Sequence, residues 1–155
     1  MMDRDMPAGA DAQALVQRLG LQPHPEGGWY RETWRGPAEG EGARGTGTAI
    51  LFLLDAGQRS RWHRVDATEI WLYHAGAPLR LFCAASGPHE RATEHRLGPD
   101  VLAGDQVQQV IPAGAWQAAE AGDRWCLVSC VVVPAFEFAG FDLAEEGWQP
   151  GSAAG

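Results

Sequence analysis

The sequence predicts an all-β fold with one short N-terminal helix, and three features of its 155 residues carry that prediction. Short apolar runs recur at close spacing along most of the chain. Twenty glycines and ten prolines divide these runs, and only one segment has the periodicity of a helix. Many short strands separated by turn residues are typical of a sandwich or a barrel. The length fits one domain, which we place at residues 10–145, with flexible tails over 1–9 and 146–155.

The helix is predicted near the start of the chain, through the segment AQALVQRL. Asp11 can cap its first turn. Leu15, Val16 and Leu19 fall on one face, which can pack against the strands. Gly20 follows the last apolar residue and is expected to end the helix.

The strands are expected to follow in order after that helix. Their segments are WYRETW, TAILFLLD, SRWHRVD, TEIWLYHAG, PLRLFCAA, ATEHRLG, GDQVQQVIPAG, WQAAEA, RWCLVSCVVVP and EFAGFDL. The loop GPAEGEGARGTG contains a G-x-G-x-x-G pattern at Gly40, Gly42 and Gly45. A dinucleotide site needs a strand directly before this pattern and a helix after it, and the sequence predicts neither.

Composition narrows the possible partners. The formal net charge of -8 argues against a broad surface for nucleic acid or anionic lipid. No apolar run approaches the roughly 20 residues that cross a bilayer, and the N-terminal residues lack a signal-peptide core. Cys83, Cys126 and Cys130 lack metal-binding spacing and indicate reduced thiols. We therefore expect a cytoplasmic protein with no nucleic-acid or membrane partner.

Alternation along one strand predicts a polar interior. Because successive side chains point to opposite faces, Glu69, Trp71 and Tyr73 share a face. A carboxylate inside a barrel is costly unless it is paired, hydrogen-bonded or wet. His63 is the nearest candidate partner in the sequence, so we expect a hydrogen bond between His63 and Glu69 beside a cavity.

The spacing of these residues resembles a known motif. His63-x-Val65-x3-Glu69-x6-Gly76 is similar to the first cupin motif, H-x-H-x3-E-x6-G, with Val65 in place of the second histidine. The segment PAGAWQ is similar to the second motif, P-x-G-x2-H, with Gln117 in place of its histidine.

Four longer segments extend the resemblance to the small single-domain cupin-5 family. They are HPEGGWYRETW, SRWHRVDATEIWLYHAGAPL, VIPAGAWQAA and VVVPAFEFAGFDL, and the resemblance runs from about Leu15 to Leu143. It implies an antiparallel double-stranded β-helix, the jelly-roll or cupin barrel, and a homodimer. It does not imply a reaction.

A typical cupin metal site uses three histidines and one glutamate. The resemblance maps only His63 and Glu69 as ligands, with Gln117 as a weak third. Tight binding of Zn, Ni or Fe generally needs three strong ligands, so we expect no metal or other cofactor. Two alternatives stay open: a metal-dependent enzyme that uses these three residues, or a buried polar pair without chemistry.

A second resemblance suggests an activity. Deoxysugar-nucleotide 3,5-epimerases are cupins with an early strand of the form R-G-x-F-x-E, and GGWYRE is similar through Gly28, Tyr30 and Glu32. Gly27 stands in place of the arginine, so the resemblance does not imply nucleotide phosphate binding. His63 falls where the epimerase has its base.

We therefore predict an isomerase, an epimerase or a dehydratase acting on a carbonyl-bearing, sugar-like small molecule. His63 would be the general base, Glu69 would orient it, and Tyr73 is the candidate acid. The predicted substrate-binding residues are Trp29, Tyr30, Glu32, Trp71, Gln108, Trp116 and Gln117. The alternative is a cupin that binds a small ligand without catalysis.

Overall fold

Eleven strands and one α-helix lie within residues 9–151, which the computed structural model describes. The elements are α1 (Ala10–Leu19), β1 (Gln22–Pro23), β2 (Trp29–Arg35), β3 (Thr48–Leu54), β4 (Arg59–Val65), β5 (Thr68–Gly76), β6 (Leu79–Ala84), β7 (Thr93–Leu97), β8 (Gln108–Ile111), β9 (Trp116–Ala121), β10 (Cys126–Val133) and β11 (Phe141–Leu143). Two 3-10 helices, Val101–Ala103 and Phe138–Gly140, precede β8 and β11.

The strands form two sheets whose named strand pairs are all antiparallel. The six-stranded sheet has the order β1-β2-β3-β10-β5-β8, and the five-stranded sheet has the order β11-β4-β9-β6-β7. Neighbours distant in sequence are therefore adjacent in space, as in a β-barrel of jelly-roll type. The predicted all-β fold with one short helix is confirmed.

The core follows from apolar alternation along the strands. In β10, Val128, Cys130 and Val132 are buried, while the residues between them are only half-buried. Removing a large apolar side chain from water contributes about 1.5–3 kcal/mol. The largest apolar side chains with almost no exposure are Trp71, Phe52, Leu53, Leu54, Leu79, Leu81, Leu97, Ile111 and Val128.

The helix packs outside the barrel, as its apolar face predicts. Leu15, Val16 and Leu19 contact a cluster that includes buried Leu53. Gly20 ends the helix in the left-handed conformation, with φ of 65°, which glycine adopts without steric cost. The predicted cap is wrong, because Gly9 is the N-cap and Asp11 lies within the first turn. The negative charge of Asp11 there interacts favourably with the helix dipole.

The register of the strands places polar residues at one end of the barrel. Glu69 pairs with Val132, and Val132 pairs in turn with Thr48. At the opposite end, Cys126 pairs with Leu54 and Gly76. Glu69 therefore lies at the polar end of the barrel.

The predicted tails fall partly outside the described residues, which exclude 1–8 and 152–155. Trp148 belongs to the predicted C-terminal tail, yet its ring packs against Trp116 with centroids 4.6 Å apart. Within the described part of the chain, no helix has the length and apolar character needed to cross a membrane.

Candidate functional site

A cavity of about 80 Å³ opens at the polar end of the barrel, between the two sheets. Its lining includes His24, five further ionisable side chains and four aromatic rings. The charged group is Glu26, Glu32, Arg35, His63 and Glu69, and the aromatic group is Tyr30, Phe136, Phe138 and Phe141. The wall of the cavity therefore combines polar and apolar side chains, as in many small-molecule sites.

A buried ion pair forms one wall. His63, on β4, is 2% exposed, and its Nε2 lies 3.0 Å from Oε2 of Glu26, which is 5% exposed. The other ring nitrogen, Nδ1, lies 2.7 Å from the Arg61 carbonyl oxygen. Because a carbonyl can only accept, Nδ1 carries a proton. Both ring nitrogens therefore have protein partners.

This pair is charged at neutral pH. Burial opposes the imidazolium, but the charge of Glu26 and its hydrogen bond outweigh burial and raise the pKa of His63 from 6.5 to about 9. Burial likewise opposes the carboxylate of Glu26, but His63 and His24 outweigh it and lower the pKa of Glu26. Each partner stabilises the charged form of the other.

The turn HPEGG brings Glu26 into the interior. The backbone N–H of Glu26 donates to Nδ1 of His24 at 3.1 Å, and the N–H of Gly27 donates to the carbonyl oxygen of His24 at 3.0 Å. His24 is 7% exposed. Burial lowers the pKa of His24 despite the attraction of Glu26, which favours the neutral imidazole, and Nδ1 of His24 accepts the hydrogen bond that orders the turn.

Two glycines let this turn lie directly against the strands. Gly27 has a φ of 112°, and a Cβ there would lie 2.4 Å from the Arg59 carbonyl oxygen. Gly28 has a φ of 75°, and its Cβ would lie 2.6 Å from the Leu53 carbonyl oxygen. Only glycine tolerates both the conformation and the contact. These glycines explain why Glu26 can reach His63.

A chain of neutral donors holds the second carboxylate. The Trp71 indole N–H donates to Oε1 of Gln117 at 2.8 Å, and the Gln117 amide donates to Oε1 of Glu69 at 2.7 Å. Because the indole N–H can only donate, the Gln117 oxygen faces Trp71 and the Gln117 nitrogen faces Glu69. Burial raises the pKa of Glu69 from 4.5 to about 7, against the attraction of His63 and with added repulsion from Glu26.

Comparison with known proteins identifies the family. A profile of Cupin_5, described as "Cupin superfamily (DUF985)", matches residues 13–144. The chain belongs to the Cupin_5 family. The resemblance predicted from the sequence is confirmed. No curated protein matches this Cupin_5 chain.

Solved structures agree with this assignment. A hypothetical protein from Leishmania major is 31% identical, with a TM-score of 0.77, over 88% of this chain and 89% of that one. A protein from Shewanella oneidensis is 34% identical, with a TM-score of 0.79, over 90% of this chain and 86% of that one. Oxalate decarboxylase from Bacillus subtilis is 15% identical, with a TM-score of 0.58, over 76% of this chain and 28% of that one. This last match shows the fold alone.

Of the three predicted catalytic residues, the structure brings two to the cavity of this Cupin_5 chain. His63 and Glu69 both line it. The expected bonding of His63 is wrong, because its nitrogens contact Glu26 and Arg61 rather than Glu69 and an open cavity. Tyr73 is on the inner side of β5, but it does not line the cavity and its hydroxyl donates to the Gly76 carbonyl oxygen. The hydroxyl proton of Tyr73 is therefore already engaged in a hydrogen bond within the protein.

Of the predicted substrate-binding residues, only Tyr30 and Glu32 line the cavity. Trp71 and Gln117 are buried behind Glu69 and position it. The remaining three lie elsewhere.

Those three residues are placed by packing rather than by the site. Trp29 packs beside the helix. Gln108 is exposed on β8, at the edge of its sheet. Trp116 packs on Trp148 with the Arg64 guanidinium over its ring, 4.9 Å from the centroid. None of these three residues lines the cavity, so the structure does not bring them to the candidate site.

Sequence reasoning missed Glu26, Arg35 and the three phenylalanines. The signal for Glu26 was present in HPEGG, where two glycines follow a carboxylate, a pattern that permits close approach of the backbone. Arg35 forms an ion pair with Glu32 at 2.8 Å. Phe136 and Phe138 come from the segment before β11, and Phe141 is the first residue of β11. The local pattern did not indicate that these residues reach the cavity.

The residues at the cupin metal position do not fit a metal ion. Val65 offers no ligand atom, and the Gln117 carbonyl oxygen already accepts from Trp71. The nitrogens of His63 are held by Arg61 and Glu26. Among the described residues, no group of three or more histidine, cysteine, aspartate or glutamate side chains has a geometry suited to a metal.

Proposed function

We propose that this protein is an isomerase-type enzyme that transfers a proton at a carbon next to a carbonyl group, with Glu69 as the proton carrier. The position of Glu69 carries the proposal. It lines the cavity, is 7% exposed, and has a pKa of about 7. A general base is most effective when its pKa lies near the working pH.

We assign the proton-transfer role to Glu69 and not to His63, which the sequence predicted as the base. At neutral pH, His63 is a charged imidazolium with a pKa of about 9, and its N–H groups donate to Arg61 and Glu26. It therefore lacks a free lone pair to accept a proton. Its positive charge can instead stabilise negative charge that develops on an enolate in the cavity.

Tyr30 is the best candidate for a second proton donor. It lines the cavity next to His24, with ring centroids 4.6 Å apart. Within residues 9–151, its hydroxyl has no hydrogen-bond partner, whereas the Tyr73 hydroxyl is bonded. Epimerisation needs an acid as well as a base, and Tyr30 can supply it; dehydration could begin with the same proton abstraction.

A second candidate function is binding of a small ligand without catalysis. The bonding of His63 favours it, because both nitrogens are held by the protein. In that case, Glu69 would accept a hydrogen bond from a ligand hydroxyl and would not exchange protons with carbon.

Hydrogen exchange at carbon separates the two functions. We would incubate the protein in D₂O with dihydroxyacetone, glyceraldehyde and the cationic aminoketone aminoacetone and follow deuteration by NMR. Loss of a general base costs about 10²–10⁴-fold in rate, so Glu69→Gln should abolish the exchange and Tyr30→Phe should slow it. Glu94→Gln is the matched control, because exposed Glu94 pairs with Arg80 on the other sheet. Exchange that persists in Glu69→Gln would contradict the proposal, and absence of exchange in the wild type would favour the binding protein.

We also infer that two copies associate through the outer face of the six-stranded sheet. The family resemblance implies a homodimer, and the register supplies an apolar row across this face. Successive partners in it are Trp34, Ala49, Val131, Ile70 and Val110. A two-fold axis would bring identical rows together and remove both from water.

Light scattering tests the dimer. The expected mass is twice the 16.7 kDa of one chain, and Trp34→Lys, at a half-exposed position, should lower it towards one chain. A wild-type monomer at micromolar concentration would contradict the inference.

A reducing compartment such as the cytoplasm remains our proposal for where the protein acts. All three cysteines are unpaired and buried, which suits a protein that does not form disulfides. Thiol labelling after rapid cell lysis should find them reduced.

A further inference from the structure

When Glu69 is ionised, the charges that line the cavity do not balance. His63 pairs with Glu26 at 3.0 Å, and Arg35 pairs with Glu32 at 2.8 Å. Glu69 remains. Among the described residues no cation forms an ion pair with Glu69, and its hydrogen-bond partners are the neutral Gln117 amide and Cys130 thiol. The cavity is therefore complementary to one additional positive charge.

The apolar part of the wall suits a cation as well. Phe136 lies 5.0 Å from Phe138 and 5.7 Å from Phe141, measured between ring centroids, and all three rings line the cavity with Tyr30. Aromatic rings present negative faces to ammonium groups and gain most when the site is dry. An organic cation can use this wall and the carboxylate of Glu69 together.

We propose that the cavity binds a small organic cation, whose ammonium group contacts Glu69 and whose apolar part packs against the phenylalanine rings. The inference rests on the cavity of the proposed function and names the charge class of its substrate. The net charge of -8 favours the approach of a cation. An ammonium group near Glu69 would also favour its ionised form, which is the form that accepts a proton.

Binding should be linked to protons. Glu69 faces Glu26 and His63, which are locked as an ion pair, and the Cys130 thiol and Gln117 amide, which are neutral. Glu69 is therefore the group that exchanges its proton near neutral pH. A cation replaces that proton, so its affinity should increase as the pH rises through about 7, the pKa of Glu69.

The test compares three probes of similar size by titration calorimetry: propylammonium, 1-propanol and propionate. At pH 8 we expect propylammonium to bind at least about tenfold more tightly than the other two, because charge-assisted hydrogen bonds are the stronger kind. Between pH 5.5 and 8 its affinity should increase by about tenfold or more. At pH 6, buffers of different ionisation enthalpy should report release of about one proton per cation bound.

Variants sharpen the result. Glu69→Gln should remove the preference for the cation, Glu69→Asp should keep part of it, and Glu94→Gln should leave it unchanged. Equal affinity for propylammonium and 1-propanol, a preference retained in Glu69→Gln, or no binding of any probe at high millimolar concentration would overturn the inference. Cation binding through Glu69 without any exchange at carbon would contradict the proposed function alone, and exchange at carbon without a cation preference would contradict this inference alone.

Discussion

Glu26 and Glu69 are buried to nearly the same extent in the same cavity, at 5% and 7% exposure, yet they have opposite electrostatic behaviour. The pKa of Glu26 is lowered because His63 and His24 outweigh burial. Burial prevails at Glu69 and raises its pKa to about 7, because its bonded partners are neutral. The partner of a buried carboxylate, rather than burial itself, decides whether it stays charged. One carboxylate is therefore structural, and the other can exchange protons.

Breaking the ion pair should have the largest effect. His63→Ala leaves Glu26 buried without its cation, which typically costs about 3–5 kcal/mol in the free energy of unfolding. Urea denaturation at pH 7 measures this cost. The double variant His63→Ala, Glu26→Gln should recover part of it. A cost below about 1 kcal/mol would show that the pair is not charged in solution.

Removing the titration of Glu69 should have the next largest effect. Because its pKa is raised on folding, Glu69 holds its proton more tightly in the folded state, and this proton binding stabilises the fold. That contribution to the free energy of unfolding is fully present below pH 4.5 and is lost as the pH rises through 7. The loss is about 3 kcal/mol, at 1.36 kcal/mol per unit. Unfolding measured across this pH range should show the loss in the wild type and not in Glu69→Gln.

The ion pair adds a second decline at higher pH. His63 also has a raised pKa, so its contribution is complete below pH 6.5 and is lost as the pH rises through 9. Glu69→Gln should keep this decline, whereas His63→Ala should lack it. A wild-type stability that does not change from pH 5 to 9 would contradict both assignments.

Breaking the neutral chain should have a moderate effect. Gln117→Leu removes the acceptor for Trp71 and the donor to Glu69, and an unsatisfied buried group costs about 1–3 kcal/mol. The pKa of Glu69 should increase, because its hydrogen bond to Gln117 lowers it. Carbon-13 NMR of the Glu69 carboxyl measures that change. Gln108→Leu, at an exposed position on β8, is the matched control.

The smallest effect should come from an ion pair of similar length at the surface. Arg64 and Asp142 are 2.8 Å apart, but both side chains are about half exposed or more. Solvent screens such pairs, so Asp142→Asn should change stability by less than about 1 kcal/mol. A cost similar to that of His63→Ala would show that distance, and not burial, sets the strength of these pairs.

The fold was predictable because it depends on local patterns. The apolar alternation of β10 and the single apolar face formed by Leu15, Val16 and Leu19 are visible in the sequence. The same period of two placed Glu69 on an inner face with Trp71. Asp11 was wrongly predicted as the N-cap, because Gly9 takes that position. The start of a helix depends on contacts with distant parts of the chain, which neighbouring residues do not determine.

The sequence by itself determined the all-β class, the Cupin_5 family and the presence of His63 and Glu69 at one interior site, since strand period and motif spacing are properties of neighbouring residues. Only the tertiary structure decided their partners. Glu26 reaches His63 because the Gly27–Gly28 turn lies against β4 and β3, and Gln117 reaches Glu69 from the opposite sheet. Partners separated by 37 and 48 positions in the chain (Glu26 to His63 and Glu69 to Gln117) meet only when the two sheets close. These contacts decide which carboxylate has a lowered pKa and which has a pKa of about 7.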